Sequence, residues 1–343
     1  MTGTTSTLGE RLRRPSGIRS LTLGDTTLTY VPDGQATLNA RMLLPQATDQ
    51  DWAQNAGYLD EDGFLLASVG GLLVERDGRA LLIDAGAGPI TMGPPLNTYG
   101  VMTGGALLDN LAKAGRGPAD IEAIALTHLH ADHFGWAWHP APGSGRPAFD
   151  VNYLVAESEW TQRHYPEAQG MGDMIKALAP QVRTVAEGEE IYPGVHVRFT
   201  PGHSAGHAAY VIDAGGQRVI AFGDAFHSTL QIAHPLWENT FDFNHQQSTS
   251  LRTGLIKELA EPGTIGFGIH HGSASRRIVW GVTTAPRPSA ADAVKDQQTP
   301  GSRDTERGVA ATGCQRWPKS SSPSLPPRRK VKRSRSARCA SRP

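Results

Sequence analysis

One short run of side chains constrains this chain of 343 residues more than any other feature. Positions 128–133 hold three imidazoles and a carboxylate, from His128, His130, Asp132 and His133. The run directly follows residues 121–126, an apolar stretch that predicts a buried strand. Mixed α/β folds present their functional groups where strands end, so the sequence predicts an α/β fold with a site at this position.

The spacing within the run favours metal binding. Side chains two positions apart in extended backbone point the same way, so His128 and His130 can reach one cation while Asp132 and His133 reach another. A single histidine is more often an ordinary polar or core residue, but four ligand types in six positions do not fit that explanation. Imidazole and carboxylate suit zinc, iron, manganese or cobalt, and a structural cysteine-type zinc site is not expected.

Further candidate ligands follow three later strand patterns. His203 lies in a Pro-Gly-His sequence after residues 195–200, and Asp224 lies in a Gly-Asp pair after residues 219–222. His270 comes directly after another apolar run. Each candidate therefore sits where a predicted strand stops.

The charge is balanced overall but unevenly distributed. The chain has 33 basic and 33 acidic residues, and residues 286–343 hold 14 of the basic and 4 of the acidic ones. The preceding part is therefore net acidic, which opposes a nucleic-acid path lined with Lys and Arg. Both cysteines, Cys314 and Cys339, lie in the basic segment, so the acidic part has no disulfide, thiolate ligand or cysteine nucleophile.

Residue patterns predict the elements around the candidate ligands. Strand patterns occur at residues 21–23, 28–31, 64–69, 72–75, 79–83, 121–126, 153–156, 195–200, 208–212, 219–222 and 264–269, with a hairpin turn at 24–25. Helical patterns occur at residues 107–114, 157–165, 171–178 and 246–259. Residues 36–60 and 136–150 predict loops that could wall a pocket, with Trp136 and Trp138 as pocket wall or core packing.

A glycine-rich segment ends one of these strands. Residues 84–88 read Asp-Ala-Gly-Ala-Gly, but they lack the Lys-Ser/Thr of a phosphate loop and the rest of a dinucleotide fingerprint. The segment therefore predicts a tight turn that lets backbone pass close to the histidine run.

The combined motifs resemble the metallo-β-lactamase superfamily of metal-dependent hydrolases over roughly residues 20–280. The resemblance implies an αββα sandwich, in which two mixed β-sheets are flanked by helices. It also implies two bound divalent metal ions, with zinc as the expected metal. Carried over by position, it implies a first site of His128, His130 and His203, a second of Asp132, His133 and His270, and Asp224 bridging them.

Three other histidines need separate interpretations. His207 is expected to pack behind the ligands, as in proteins of similar sequence. His271 competes with His270 for the last ligand position, and His270 is preferred because it directly follows the strand. His227 stands where many lactone-hydrolysing relatives have a tyrosine that polarises the substrate or leaving group, so His227 either acts as donor or acid or merely packs.

The resemblance also implies a reaction. A hydroxide shared by the two ions would attack a carbonyl or phosphoryl centre, and Asp132 could orient it. Asp132 and His227 are therefore the candidate catalytic residues. The loops look most like those of the branch that contains quorum-quenching lactonases and methyl parathion hydrolase. This likeness predicts a small-molecule lactone or other ester as substrate, with organophosphate triesters as a side activity.

Other functions fit the same residues less well. A glyoxalase II-like thioesterase usually has Gly-Gly where this chain has Gly135-Trp136. A β-lactamase-like amide hydrolase has a Cys ligand or lacks an Asp at the position of Asp224. A non-catalytic scaffold of the same fold is opposed by the complete ligand set, and a nucleic-acid-processing protein by the acidic charge.

Composition also predicts the domain organisation. Residues 1–19 predict a flexible N-terminus, residues 20–285 the hydrolase domain, and residues 286–343 a disordered tail rich in Pro, Ser and basic residues. The tail could bind a polyanion such as nucleic acid, or it could be an altered terminus. No export signal or membrane span is recognised, which predicts a cytoplasmic protein without a membrane partner; an oligomer is compatible with the sequence.

Overall fold

The computed structural model describes residue 10 and residues 12–93 and 99–271. The predicted tail, most of the predicted N-terminal segment and residues 272–285 of the predicted hydrolase domain lie outside the described residues. The described residues include all the candidate ligands.

Two mixed β-sheets form the framework. The larger sheet contains β1 (Arg19–Leu23), β2 (Thr26–Asn39), β3 (Phe64–Arg76), β4 (Arg79–Ile83), β5 (Thr91–Met92), β6 (Tyr99–Thr103), β7 (Ala123–Leu126), β8 (Asn152–Ala156) and β9 (Val182–Val185). The smaller sheet contains β10 (Glu190–Tyr192), β11 (Val195–Phe199), β12 (Ala208–Ala214), β13 (Gln217–Ala221) and β14 (Thr264–Phe267). Strands β4, β7, β8 and β9 run parallel, as do β13 and β14, and the other pairs are antiparallel.

Helices connect and cover these sheets. From residue 13 onward, the described part of the chain contains the α-helices α1 (Ala40–Leu43), α2 (Asp49–Gln54), α3 (Leu107–Lys113), α4 (Ala131–Trp138), α5 (Glu157–Thr161), α6 (His164–Pro166), α7 (Gly172–Leu178), α8 (Leu230–Ala233) and α9 (His245–Leu259). Among the described residues, every helix is too short or too polar to span a bilayer.

The core has the layers of a sandwich. Leu72 and Ile83 of the larger sheet pack with Val219 and Ile265 of the smaller one, and each such aliphatic side chain stabilises the fold by about 1.5–3 kcal/mol when buried. A second cluster joins the outer face of the larger sheet to α3, α4 and α7, and a third joins the smaller sheet to α9. The predicted αββα architecture is confirmed.

Most predicted elements are present, with two informative differences. Strands β1 and β2 form the expected hairpin, with Leu23 paired to Thr26. Two strands are expected in residues 64–75, but β3 is one continuous strand. A Cβ at Gly70 would clash with the Val31 carbonyl of β2. This glycine therefore allows β2 and β3 to approach closely and does not make a turn.

The two segments predicted as loops are partly helical. In residues 36–60, β2 continues to Asn39 and is followed by α1 and α2, where Thr48 and Asp51 form a capping box. In residues 136–150, the loop prediction is wrong for the first three residues, which end α4. Trp136 is buried there and packs in the core, whereas Trp138 is half-buried.

The glycine-rich segment after β4 passes against α4, as predicted. The Ala85 amide donates to the His133 carbonyl at 2.6 Å, and the Gly135 amide donates to the Gly86 carbonyl at 2.7 Å. A Cβ at Gly135 would clash with Ala87, so only glycine permits this approach. The contact fixes the start of α4 relative to the end of β4.

A single buried carboxylate anchors that segment. Asp33 lies in β2, beside a register irregularity between Pro32 and Gly34. Its two oxygens accept five hydrogen bonds of 2.8–3.0 Å, from the backbone amides of Ala87, Gly88, Gly105 and Leu107 and from the Trp136 indole. Asp33 therefore ties β2, the glycine-rich segment, α3 and α4 together.

Candidate metal centre

The ends of four strands deliver the predicted ligands to one place. Strand β7 ends two residues before His128, and α4 begins directly after His130, so that Asp132 and His133 lie in its first turn. The segments after β11, β13 and β14 bring in the ligands that are distant in sequence, His203, Asp224 and His270. All seven predicted ligands belong to groups whose donor atoms lie within 4.8 Å of one another.

Three imidazoles form the first group. Nε2 of His128 lies 2.9 Å from Nδ1 of His130, and Nε2 of His203 lies 3.0 Å from the same Nδ1 atom. Three nitrogen atoms thus face one point, which is the ligand arrangement expected for the first predicted site.

The second group combines two imidazoles with a carboxylate. Oδ2 of Asp132 lies 3.8 Å from Nε2 of His133 and 3.5 Å from Nε2 of His270. These distances leave space for a small ion between the three donor atoms. The grouping matches the second predicted site.

Asp224 faces both groups. Its Oδ1 atom lies 3.3 Å from Nε2 of His133 and 3.1 Å from Nε2 of His270. Its Oδ2 atom lies 3.5 Å from Nε2 of His203 and 3.9 Å from Nε2 of His128. Oδ2 also lies 3.1 Å from Nε2 of His270. The carboxylate therefore lies between the two groups, which is the position that the bridging assignment requires.

The nitrogens that point away from the centre are held by the protein. His133 Nδ1 donates to Asp84 at 2.9 Å, and His270 Nδ1 donates to the Ser68 carbonyl at 2.8 Å. His128 Nδ1 lies 3.0 Å from the Thr127 hydroxyl, which itself donates to Asp84. Such bonds fix the tautomer, so the Nε2 lone pairs point into the centre.

A buried ion pair holds His203 in the same way. Nδ1 of His203 lies 3.2 Å from Oδ1 of Asp242, and Oδ2 of Asp242 lies 2.9 Å from the guanidinium of Arg252 in α9. Both partners of this ion pair are fully buried side chains. Helix α9 therefore contributes to the orientation of a candidate ligand through two intervening side chains.

The charges of the centre favour a cation. Burial lowers the pKa of His130 to about 4 and holds the pKa of His128 and of His203 well below the usual value, so these rings are neutral at pH 7. Burial alone would also lower the pKa of His270, yet the Asp224 and Asp132 carboxylates raise it to about 9. The field that raises this pKa would equally stabilise a divalent ion.

Unpaired atoms support the same interpretation. Among the described residues, the buried atoms His133 Nε2 and Asp224 Oδ1 make no hydrogen bond, although leaving such atoms unpaired is costly. Both atoms point into the centre, where an ion would satisfy them. The donor set of neutral imidazoles and carboxylates fits two divalent ions of the zinc type.

The three remaining histidines of the sequence analysis have distinct positions. Nε2 of His207 accepts a hydrogen bond from the Asp224 amide at 3.1 Å, so this lone pair is used behind the centre. His270 contacts Asp224, whereas the His271 ring packs near Phe222. His227 lies in the centre itself, with Nε2 3.1 Å from Oδ2 of Asp224.

A shallow cleft opens beside the centre. His227 and His270 line this cleft together with Leu38, Tyr58 and Leu65. The prediction that residues 36–60 help to wall a pocket is thus confirmed for Leu38 and Tyr58. The described lining is apolar apart from hydroxyl groups and imidazoles.

Sequence comparison agrees with this geometry. Residues 71–276 match the sequence profile of the metallo-beta-lactamase superfamily, which is more than half of the chain. The chain belongs to the metallo-beta-lactamase superfamily. The family predicted from the histidine run and the later strand-end ligands is confirmed.

Curated relatives within the superfamily match over limited segments. An N-acyl homoserine lactonase from Bacillus cereus is 31% identical over 106 residues, which are 30% of this chain and 37% of the relative. Metallo-beta-lactamase domain-containing protein 1 from Xenopus laevis is 28% identical over 159 residues, 46% of this chain and 58% of the relative. The matches span about one third to three fifths of these two superfamily members.

Solved structures of the superfamily show the same fold over a larger part of the chain. AidC, described as a dizinc quorum-quenching lactonase, superposes with a TM-score of 0.62 at 22% identity. The superposition covers 75% of this chain and 91% of AidC. The relatives of this superfamily member thus include lactonases, the branch that its motifs resemble.

Several site residues were not recognised in the sequence. Asp84 was interpreted only as part of a turn, although its position directly after a strand and its left-handed φ of 60° hold its carboxylate toward His133. A carboxylate at the end of the strand next to β7 was the available signal. Asp242 and Arg252 gave no comparable signal, because they reach the centre only through His203.

Proposed function

We propose that this chain is a dinuclear metal-dependent hydrolase that cleaves lactones and other carboxylic esters. The observation that carries the proposal is the position of Asp224 between the two ligand groups, 3.1 Å from Nε2 of His270 and 3.5 Å from Nε2 of His203. The two metal ions would be held by the two ligand groups described above, and zinc is the expected metal. The cytoplasm remains the predicted compartment.

The residues around the two ions would have different roles in the reaction. The ions would supply activated water and stabilise negative charge on the carbonyl oxygen. The side chain of Asp132 is 15% exposed, against 4% for Asp224, so Asp132 is the better placed carboxylate to orient water and hold its proton. His227 lies in the wall of the cleft and could donate a proton to the leaving oxygen.

The lining of the cleft favours the binding of a neutral substrate. Its described wall combines leucine side chains with the hydroxyl groups of Tyr58 and Thr229, which lie 3.0 Å apart. Lys and Arg, which would pair with a substrate carboxylate, do not occur in that described wall. A lactone with an apolar acyl chain fits this surface better than an anionic thioester or β-lactam. The names of the lactonase relatives support the same class.

A substrate panel tests the proposal. Purified protein is assayed against acyl-homoserine lactones, a neutral aryl ester, a phosphotriester, a β-lactam and a glutathione thioester. We expect kcat/KM for a lactone or aryl ester to exceed those for the β-lactam and the thioester by about 100-fold or more. A preference for the thioester or the β-lactam would contradict the proposed substrate class, and His227→Ala measures the contribution of the cleft histidine on the preferred substrate.

A further inference from the structure

Glu159 is a buried carboxylate that takes no part in the proposed ligand groups. It lies in the first turn of α5 and is 3% exposed. Its Oε1 atom accepts a hydrogen bond from the Leu129 amide at 2.9 Å, and its Oε2 atom accepts from the Ser204 hydroxyl at 2.7 Å and the Gly206 amide at 2.9 Å. Burial raises the pKa of Glu159, and the hydrogen bonds oppose that effect.

The three donors belong to the two loops that carry the first ligand group. Leu129 stands between His128 and His130, and Ser204 directly follows His203. Leu129 and Ser204 are 75 positions apart in the sequence, and the two oxygens of one carboxylate connect their loops. A neutral side chain of similar size could fill the space, but it could not accept from all three donors.

The fit between α5 and the second of these loops is close. A Cβ at Gly206 would clash with the backbone of Ser158 and Glu159, so the loop lies directly against the first turn of α5. The Ala208 amide also donates to the Thr127 carbonyl at 2.8 Å, which links the same loops beyond the carboxylate. The relative position of the loops thus depends on a few short contacts.

The histidines of the second ligand group are held by residues other than Glu159. His133 is held by Asp84 and His270 by the Ser68 carbonyl, as described above. Neither bond involves α5. A change at Glu159 should therefore act on one group of ligands and leave the other in place.

We propose that Glu159 is a positioning residue for the first metal site, which holds the loops of His128, His130 and His203 so that their donor atoms converge. Glu159 contacts neither the ion nor the substrate in this role. The inference rests on the proposed function, because it presupposes that the first group binds a metal ion.

The decisive variant is Glu159→Gln, which keeps the size of the side chain but replaces one acceptor oxygen by an amide group that donates. We expect the affinity of the first site for its metal ion to fall by about 10–100-fold, which is the usual effect of replacing a residue that orients metal ligands. The affinity of the second site should not change. Cobalt(II) or zinc titration of metal-free protein, followed by cobalt absorption and metal analysis, measures both steps. The wild-type protein should show two binding steps. When metal is limiting, the variant should fill only the second site.

Matched variants separate positioning from general stability. Glu157→Gln changes an exposed carboxylate in the same turn of α5 and should leave both binding steps unchanged. Ser204→Ala removes one of the three bonds and should weaken the first step by a smaller factor, so it serves if Glu159→Gln does not fold. Far-ultraviolet circular dichroism verifies the fold of each variant.

The outcomes also separate this inference from the proposed function. If wild-type protein binds two ions and Glu159→Gln and Ser204→Ala bind them with the same two affinities, Glu159 does not position the first site while the metal assignment stands. An equal loss of both steps in Glu159→Gln would show a general structural role and would also overturn the inference. If the wild-type protein itself binds no more than one ion, the dinuclear function fails first.

Discussion

Replacing Asp224 by asparagine is expected to reduce ester hydrolysis by about 1,000-fold or more and to lower the bound metal by at least one ion per chain. Asparagine keeps the shape of the side chain but offers one neutral oxygen in place of two charged ones. The loss should be large because Asp224 faces both ligand groups, with Nε2 of His270 at 3.1 Å and Nε2 of His203 at 3.5 Å. Metal analysis and kcat/KM on the preferred ester measure the two effects.

A second aspartate provides the control for that experiment. Asp150 is exposed and lies outside the ligand groups, so Asp150→Asn should retain the metal content and activity of the wild-type protein. Circular dichroism of Asp224→Asn tests whether the fold is kept. A folded Asp224→Asn protein with two ions and full activity would show that the bridging assignment is wrong.

Replacing Asp33 by alanine is expected to destabilise the protein by about 3–5 kcal/mol, since it leaves several buried donors without an acceptor. The carboxylate accepts bonds from four backbone amides and the Trp136 indole. In a fold of this size such a loss lowers the melting temperature by roughly 10 °C. Urea unfolding and calorimetry measure the loss of stability. The candidate metal centre should also loosen, because α4 carries two of the candidate ligands, Asp132 and His133.

The matched control for Asp33 is Asp109, an exposed aspartate in α3. Asp109→Ala should change the free energy of unfolding by no more than about 0.5 kcal/mol. Asp33→Asn should lie between the two, because its amide retains one acceptor oxygen. Equal stability of Asp33→Ala and Asp109→Ala would contradict the anchoring role of Asp33.

The candidate ligands could be singled out because their chemistry and their position coincide in the sequence. Imidazoles and carboxylates such as His128, His203 and Asp224 follow apolar runs that read as strands, and strands of this kind end at a common edge. The individual strands and helices followed from the same periodicities, whereas their arrangement in two sheets flanked by helices was implied by the family resemblance. His227 could be singled out but not assigned, because only the structure places its Nε2 atom beside Asp224.

The supporting residues were not predictable, since their partners lie far away in sequence. Asp33 meets the Trp136 indole across 103 positions, and Glu159 meets Ser204 across 45 positions. Neither residue stands in a motif, and an isolated acidic residue is normally solvated on the surface. The helical end of α4 was missed for a similar reason, because burial of Trp136 depends on tertiary packing and not on local pattern.

The central claim is that hydrolysis depends on two ions held by these residues. Its most direct test is metal analysis of protein purified without chelator, combined with ester hydrolysis before chelation, after chelation and after addition of zinc. If this claim is correct, we expect about two divalent ions per chain, and an activity that disappears on chelation and returns as about two equivalents of zinc are restored. Full activity in protein that holds almost no metal would contradict it.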